Sequence, residues 1–115
     1  MSALLLHLAG PGQAPFPDLA TALKVAANAL DELPGAEVEI VVQGPAVTQL
    51  LASAQDAARV AELTGAGNVA ISACANSLRS AAVGAASLAG GVRVVPAAIA
   101  HLARRQGDGA AYVRI

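Results

Sequence analysis

The chain has no tryptophan, one tyrosine and one phenylalanine, so aromatic residues make up 2% of its 115 residues. Phe16 and Tyr112 alone offer no stacking platform for unpaired bases. Charge is also sparse. Asp, Glu, Lys and Arg together make up 13%, and seven basic against eight acidic residues leave a formal net charge of -1 at pH 7. No basic excess exists to neutralise phosphates, and only Arg104 and Arg105 adjoin, near His101, so nucleic acid is not expected as a partner. A single cysteine, Cys74, cannot close an intramolecular disulfide, and no Cys/His cluster has zinc spacing. No apolar run approaches the roughly 20 residues of a membrane-spanning helix. The N-terminal run from Ala3 to Ala9 contains His7 and has no basic segment before it, so it reads as a strand and not as a signal peptide. A protein with no membrane association, located in the cytoplasm, is expected.

What the chain has in abundance is small apolar residues. There are 30 alanines against 31 Leu, Ile, Val and Phe together, and 56% of the chain is hydrophobic. That content, with almost no net charge, excludes intrinsic disorder, and the length suits one domain over residues 1–115. Alanine favours helices and close packing, but each buries little area at roughly 25 cal/mol per Å². The monomer is therefore expected to be marginal, with apolar surface committed to a homo-oligomer interface.

Pro/Gly clusters punctuate the chain at intervals suited to alternating strands and helices. Strands are expected at Ala3–Leu8, Glu37–Val42, Asn68–Ala73, Val92–Val95 and Ala111–Ile115. The first helix opens at Pro17 and Asp18 and carries Leu19, Ala22, Leu23, Ala26, Ala27 and Leu30 at helical spacing before Pro34 and Gly35 stop it. Val47, Leu50, Leu51 and Ala54 read as a short helix, and Asp56 starts another that ends at Thr64 and Gly65. Asn76 and Ser77 are candidate caps of a helix carrying Leu78, Ala82 and Val83, and Pro96 fits the first turn of a helix through Arg105. The order βαβααβαβαβ implies an α/β fold: a three-layer α/β/α domain around a five-stranded, mostly parallel sheet.

In open α/β sheets ligands bind beyond the carboxyl ends of the strands. The polar residues there are few: His7 near the end of the first strand, Gln43 and Gly44 after the second, and Cys74 after the third. Cys74 lies between a buried strand and a helix start, where unpaired N–H groups and the helix dipole favour a thiolate, and Arg79 is expected within the first turn of that helix. Its alternative role is that of a small buried hydrophobe. His7 fits either a partner for the thiolate or a core histidine bonded to backbone, and Asn76 and Ser77 offer either pocket hydrogen bonds or ordinary caps. His101, Arg104 and Arg105 read as a solvated face with favourable charge at a helix C-terminus.

Several motifs are missing. Gly10-Pro11-Gly12 lacks the third glycine of a dinucleotide loop, and there is no Walker lysine pattern and no G-x-S-x-G elbow. No cofactor is expected.

The segment Ala73-Cys74-Ala75-Asn76-Ser77-Leu78-Arg79 resembles the signature of the DsrE/DsrF-like family, small α/β proteins linked to intracellular sulfur oxidation and sulfur relay. Val41-Val42-Gln43-Gly44-Pro45-Ala46 is similar to that family's second-strand turn, and His7, Asn28, Val94-Val95-Pro96, Leu102, Arg105-Gln106, Gly109 and Tyr112 also fall where its members tend to have them. The resemblance implies a DsrE-like fold, assembly into trimers or hexamers, and a cysteine that carries sulfane sulfur as a persulfide. Only Cys74 can be that residue in this chain, with His7, Gln43, Gly44, Asn76, Ser77 and Arg79 as candidate binding residues around it. Two functions follow as expectations: a sulfur carrier that passes sulfur from a donor protein to an acceptor protein through Cys74, or a non-catalytic oligomeric binding or scaffold protein in which Cys74 is structural.

Overall fold

Near-continuous apolar strands, too buried to alternate, form the middle of a parallel sheet. The computed structural model describes residues 3–115. In chain order the elements are β1 (Ala3–Ala9), α1 (Leu19–Glu32), β2 (Glu37–Gln43), a 3-10 segment (Gly44–Leu50), α2 (Ala57–Gly65), β3 (Val69–Cys74), α3 (Ala75–Ser80), a 3-10 turn (Ala85–Ser87), β4 (Val92–Val95), α4 (Ala98–Gly107) and β5 (Ala111–Arg114). All five strands are parallel, in the order β4-β3-β2-β1-β5.

The register sorts side chains onto two faces. Pairing of Leu6 with Ile40 and of Ile40 with Ile71 puts Leu6, Leu8, Ile40, Val42, Ile71 and Ala73 on one face, in a core completed by α1, α2 and the first 3-10 segment. Asp18 caps α1, its Oδ1 accepting from the Thr21 N–H at 2.9 Å, and the helix buries Leu19, Ala22, Leu23 and Ala26. The small Ala22 and Ala26 let the helix axis approach the sheet closely. The opposite face carries Leu5, Val41 and Cys74 and is met by α4 through Ala98 and Leu102. Right-handed crossovers produce this division: β1 to β4 advance in one direction with their connections on the first face, and α4 returns across the second to place β5 beside β1.

Two expected helices are corrected. The stretch expected as a helix over Val47–Ala54 is 3-10 only to Leu50, because more distant backbone takes the groups an α-helix would use: Ala89 N–H donates to the Leu50 carbonyl at 2.8 Å and Ala52 N–H to the Ser87 carbonyl at 2.9 Å. The helix after Cys74 starts before its expected caps, at Ala75, and stops at Ser80, with Ala82 in the left-handed region at φ 57°. Cys74 is itself the N-cap, which frees Ser77 for another partner.

Candidate functional site

The connection after β3 leads to α3 on one face, whereas the connection after β4 leads to α4 on the other. The sheet's topological switch point therefore lies between β3 and β4, where α/β sheets open a crevice for ligands. Cys74 is the last residue of β3 at that point. A cleft of about 660 Å³ opens there, lined by Gln43, Gly44, Pro45, Thr48, Cys74, Asn76, Ser77, Ser80, Ala81 and Ala97–Ile99. Among the described residues none that lines it is charged.

Cys74 is 2% exposed, and burial alone pushes its thiol pKa up. Hydrogen bonds from the backbone N–H groups of Ser77, Ala98 and Asn76 and from the Ser77 hydroxyl outweigh that effect, and the pKa lies below its ordinary value. These N–H groups belong to the first turns of α3 and α4, so two helix N-termini converge on one sulfur. The contribution of Ala98 escaped the sequence reading, since an alanine advertises no chemistry and the approach of α4 is a tertiary event.

The turn after β2 builds the adjoining wall. Gly44 adopts φ 79°, and a Cβ there would lie 3.2 Å from the Gly10 nitrogen, so the close approach of two loops requires glycine. The Gly44 N–H then donates to Ser77 Oγ at 2.8 Å. With that lone pair engaged, the Ser77 hydroxyl hydrogen is free to serve the Cys74 sulfur.

The candidate binding residues separate into three groups. Gln43, Gly44, Asn76 and Ser77 line the cleft with Cys74. His7 does not line it: the residue is 3% exposed, with Nε2 at 2.9 Å from Gln43 Oε1 and Nδ1 at 2.7 Å from the Tyr112 hydroxyl. Burial lowers the His7 pKa most, against a raising hydrogen bond to Gln43 and aided by the charge of Arg114. Arg79 lies outside the lining as well; its guanidinium donates to Asn76 Oδ1 on the exposed side of α3.

A second polar cluster occupies the same sheet face nearer the strand starts. Glu39, 6% exposed, accepts from Ser72 Oγ at 2.6 Å, from His101 Nε2 at 2.7 Å and from Arg105 Nε at 3.2 Å. Burial raises the Glu39 pKa, yet these partners win and hold its carboxyl below the ordinary range. His101 and Arg105 are thus corrected from a solvated face to anchors of α4, because their spacing of four places both on the helix stripe that meets the sheet. A carboxylate inside the apolar run of β2 was the available signal, since such a group is rarely buried without partners. Among the described residues no three His, Cys, Asp or Glu side chains converge to hold a metal ion, and no helix is long and apolar enough to cross a membrane.

A search of curated proteins finds no match. Solved structures do match. The protein of unknown function MTH1491 from Methanobacterium thermoautotrophicum is 27% identical with a TM-score of 0.89, and the ychN protein from E. coli is 16% identical with a TM-score of 0.81, each comparison covering 100% of both chains. The model of the DsrE/DsrF-like family matches residues 1–115, and the chain belongs to that family.

Proposed function

We propose that this protein is a cytoplasmic sulfur carrier in which Cys74 holds the transferred sulfur as a persulfide. The observation that carries the proposal is the placement of the lone cysteine: at the switch point, on the wall of an uncharged cleft, with three backbone N–H groups and a hydroxyl favouring its thiolate. Family membership supports a role in sulfur relay. The Cys74 thiolate attacks the outer sulfur of a donor protein's persulfide; the donor S–S bond breaks, the donor thiolate departs, and Cys74 carries the sulfane sulfur. An acceptor protein's thiolate attacks that outer sulfur in turn, and the Cys74 thiolate is regenerated with no net oxidation.

Incubation with a persulfide donor in the absence of reductant, followed by mass measurement, tests the reading. One added sulfur on the wild type and none on Cys74→Ala is expected; no addition, or equal addition to both, refutes it. A structural cysteine within a scaffold protein is the second reading, favoured by the 2% exposure of Cys74. It requires a thiol inert in the native state and reactive only after denaturation.

The reading includes assembly into a trimer or hexamer. Val94, Ile99, Tyr112 and Val113 are 43%, 61%, 38% and 47% exposed, which leaves apolar surface near both sheet edges for subunit contact. Light scattering is expected to give a multiple of the 11.3 kDa chain, and a stable folded monomer removes the assembly.

A further inference from the structure

The Gln43 side chain spans the distance between the buried His7 and the Cys74 cleft, and its amide has a direction. A carboxamide oxygen only accepts hydrogen bonds, so His7 Nε2, 2.9 Å from Gln43 Oε1, carries a proton. A neutral imidazole has one N–H, which leaves Nδ1 as an acceptor for the Tyr112 hydroxyl at 2.7 Å. The depressed His7 pKa agrees with a neutral ring, and Arg114 is the charge that acts on it. Gln43 Oε1 is thereby engaged, while among the described residues its amide nitrogen has no hydrogen-bond partner. The register that pairs Val42 with Ala73 brings Gln43 beside Cys74 at the ends of adjacent strands, and both line the cleft.

We infer that Tyr112 and His7 are positioning residues that hold the Gln43 amide with its NH₂ toward the cleft, where it donates to the anionic sulfur on Cys74. The inference rests on the sulfur-carrier reading, because that reading supplies the anion. The opposite polarity, with Gln43 turned over, puts its carbonyl oxygen against a thiolate or persulfide, and no charged side chain lines the cleft to compensate. Tyr112, 38% exposed on the edge strand β5, is the far end of the chain of hydrogen bonds and does not line the cleft.

The test has two arms on the full-length protein. Nitrogen NMR of ¹⁵N-histidine-labelled protein is expected to show His7 protonated at Nε2 and bare at Nδ1; the opposite tautomer overturns the inference. The rate of Cys74 alkylation by iodoacetamide is then followed against pH for wild type and Tyr112→Phe, which keeps the ring and removes the donor. The relay predicts a profile displaced to higher pH and a rate at pH 7 lower by roughly threefold, the scale of one modest hydrogen bond. An unchanged profile refutes it. So does a faster reaction, the sign expected if the substitution merely loosened the fold and exposed the thiol. Failure of the wild type to take up sulfur refutes the carrier reading while leaving both readouts unaltered, so the two failures are distinguishable.

Discussion

Replacing Ser77 by alanine separates two roles of one hydroxyl. Ser77 Oγ accepts from the Gly44 N–H at 2.8 Å, and its hydrogen serves the Cys74 sulfur. Ser77→Ala strands a part-buried backbone donor at a glycine whose φ of 79° and contact with the Gly10 backbone leave little freedom to find another. Leaving such a donor unpaired costs about 1–2 kcal/mol, which lowers the midpoint of thermal unfolding by roughly 4–8 °C in a domain of this size. The thiolate simultaneously loses one of the four donors that α3 and α4 supply. Hydrogen bonds to charged groups contribute about 1.5 kcal/mol or more, so alkylation of Cys74 near neutral pH falls roughly tenfold and its pH profile moves upward. Calorimetry and an iodoacetamide rate profile read the two effects, with Ser77→Thr as the hydroxyl-restoring variant. Ser80→Ala, on the same cleft, is the control. If Ser77→Ala unfolds lower but its alkylation profile coincides with the wild type, the hydroxyl does not act on the thiolate and the account of Cys74 activation fails.

Ala98→Pro removes the α4 N–H that serves Cys74 at a position where proline fits, since Ala98 is the first residue of the helix and Ala97 before it is extended at φ -149° and ψ 124°. The alkylation profile is expected to move to higher pH while far-UV circular dichroism keeps the helix signal; loss of that signal means the helix start does not tolerate the ring. Glu39→Ala leaves Ser72, His101 and Arg105 without their common acceptor and is expected to cost about 2 kcal/mol in urea unfolding, below the range for fully buried pairs because His101 and Arg105 reach water. The folded Glu39 pKa lies below the ordinary value of 4.5, so its contribution is complete above the unfolded value and is lost as pH falls through the folded one. Glu39→Gln should flatten that acid-side slope, and an unchanged slope refutes the linkage.

Much of the architecture was legible because its signals are local. Apolar runs bounded by Gly and Pro located all five strands, with Val92–Val95 matching at both ends, and their alternation with helical spacing implied a parallel sheet. Strand order was not legible: it depends on which neighbour each crossover reaches, and nothing within a strand encodes that. The Val47–Ala54 helix was misread because its outcome is decided by backbone from residues 87 and 89, far along the chain. The site divides in the same way. Gln43, Gly44 and Cys74 could be named from strand ends and Ser77 from the helix start that follows, whereas Tyr112 and Ala98 reach the site only through the return of the last strand and helix.

The scarcity of charge and the excess of alanine have one consequence at the cleft. Without a lysine or arginine in its lining, this chain favours a sulfur anion with peptide N–H groups, and peptide groups act only where backbones come close. Ala97 and Ala98 line the cleft with Cys74 at the start of α4, where small side chains leave room for the helix N-terminus to come close to the sulfur. Neutral donors also suit a carrier. A fixed cation in the lining would retain an anionic persulfide more strongly than neutral hydrogen-bond donors do, and so oppose its transfer. Two of the alanines that dominate the composition, Ala97 and Ala98, thus stand where the α4 N-terminus meets Cys74.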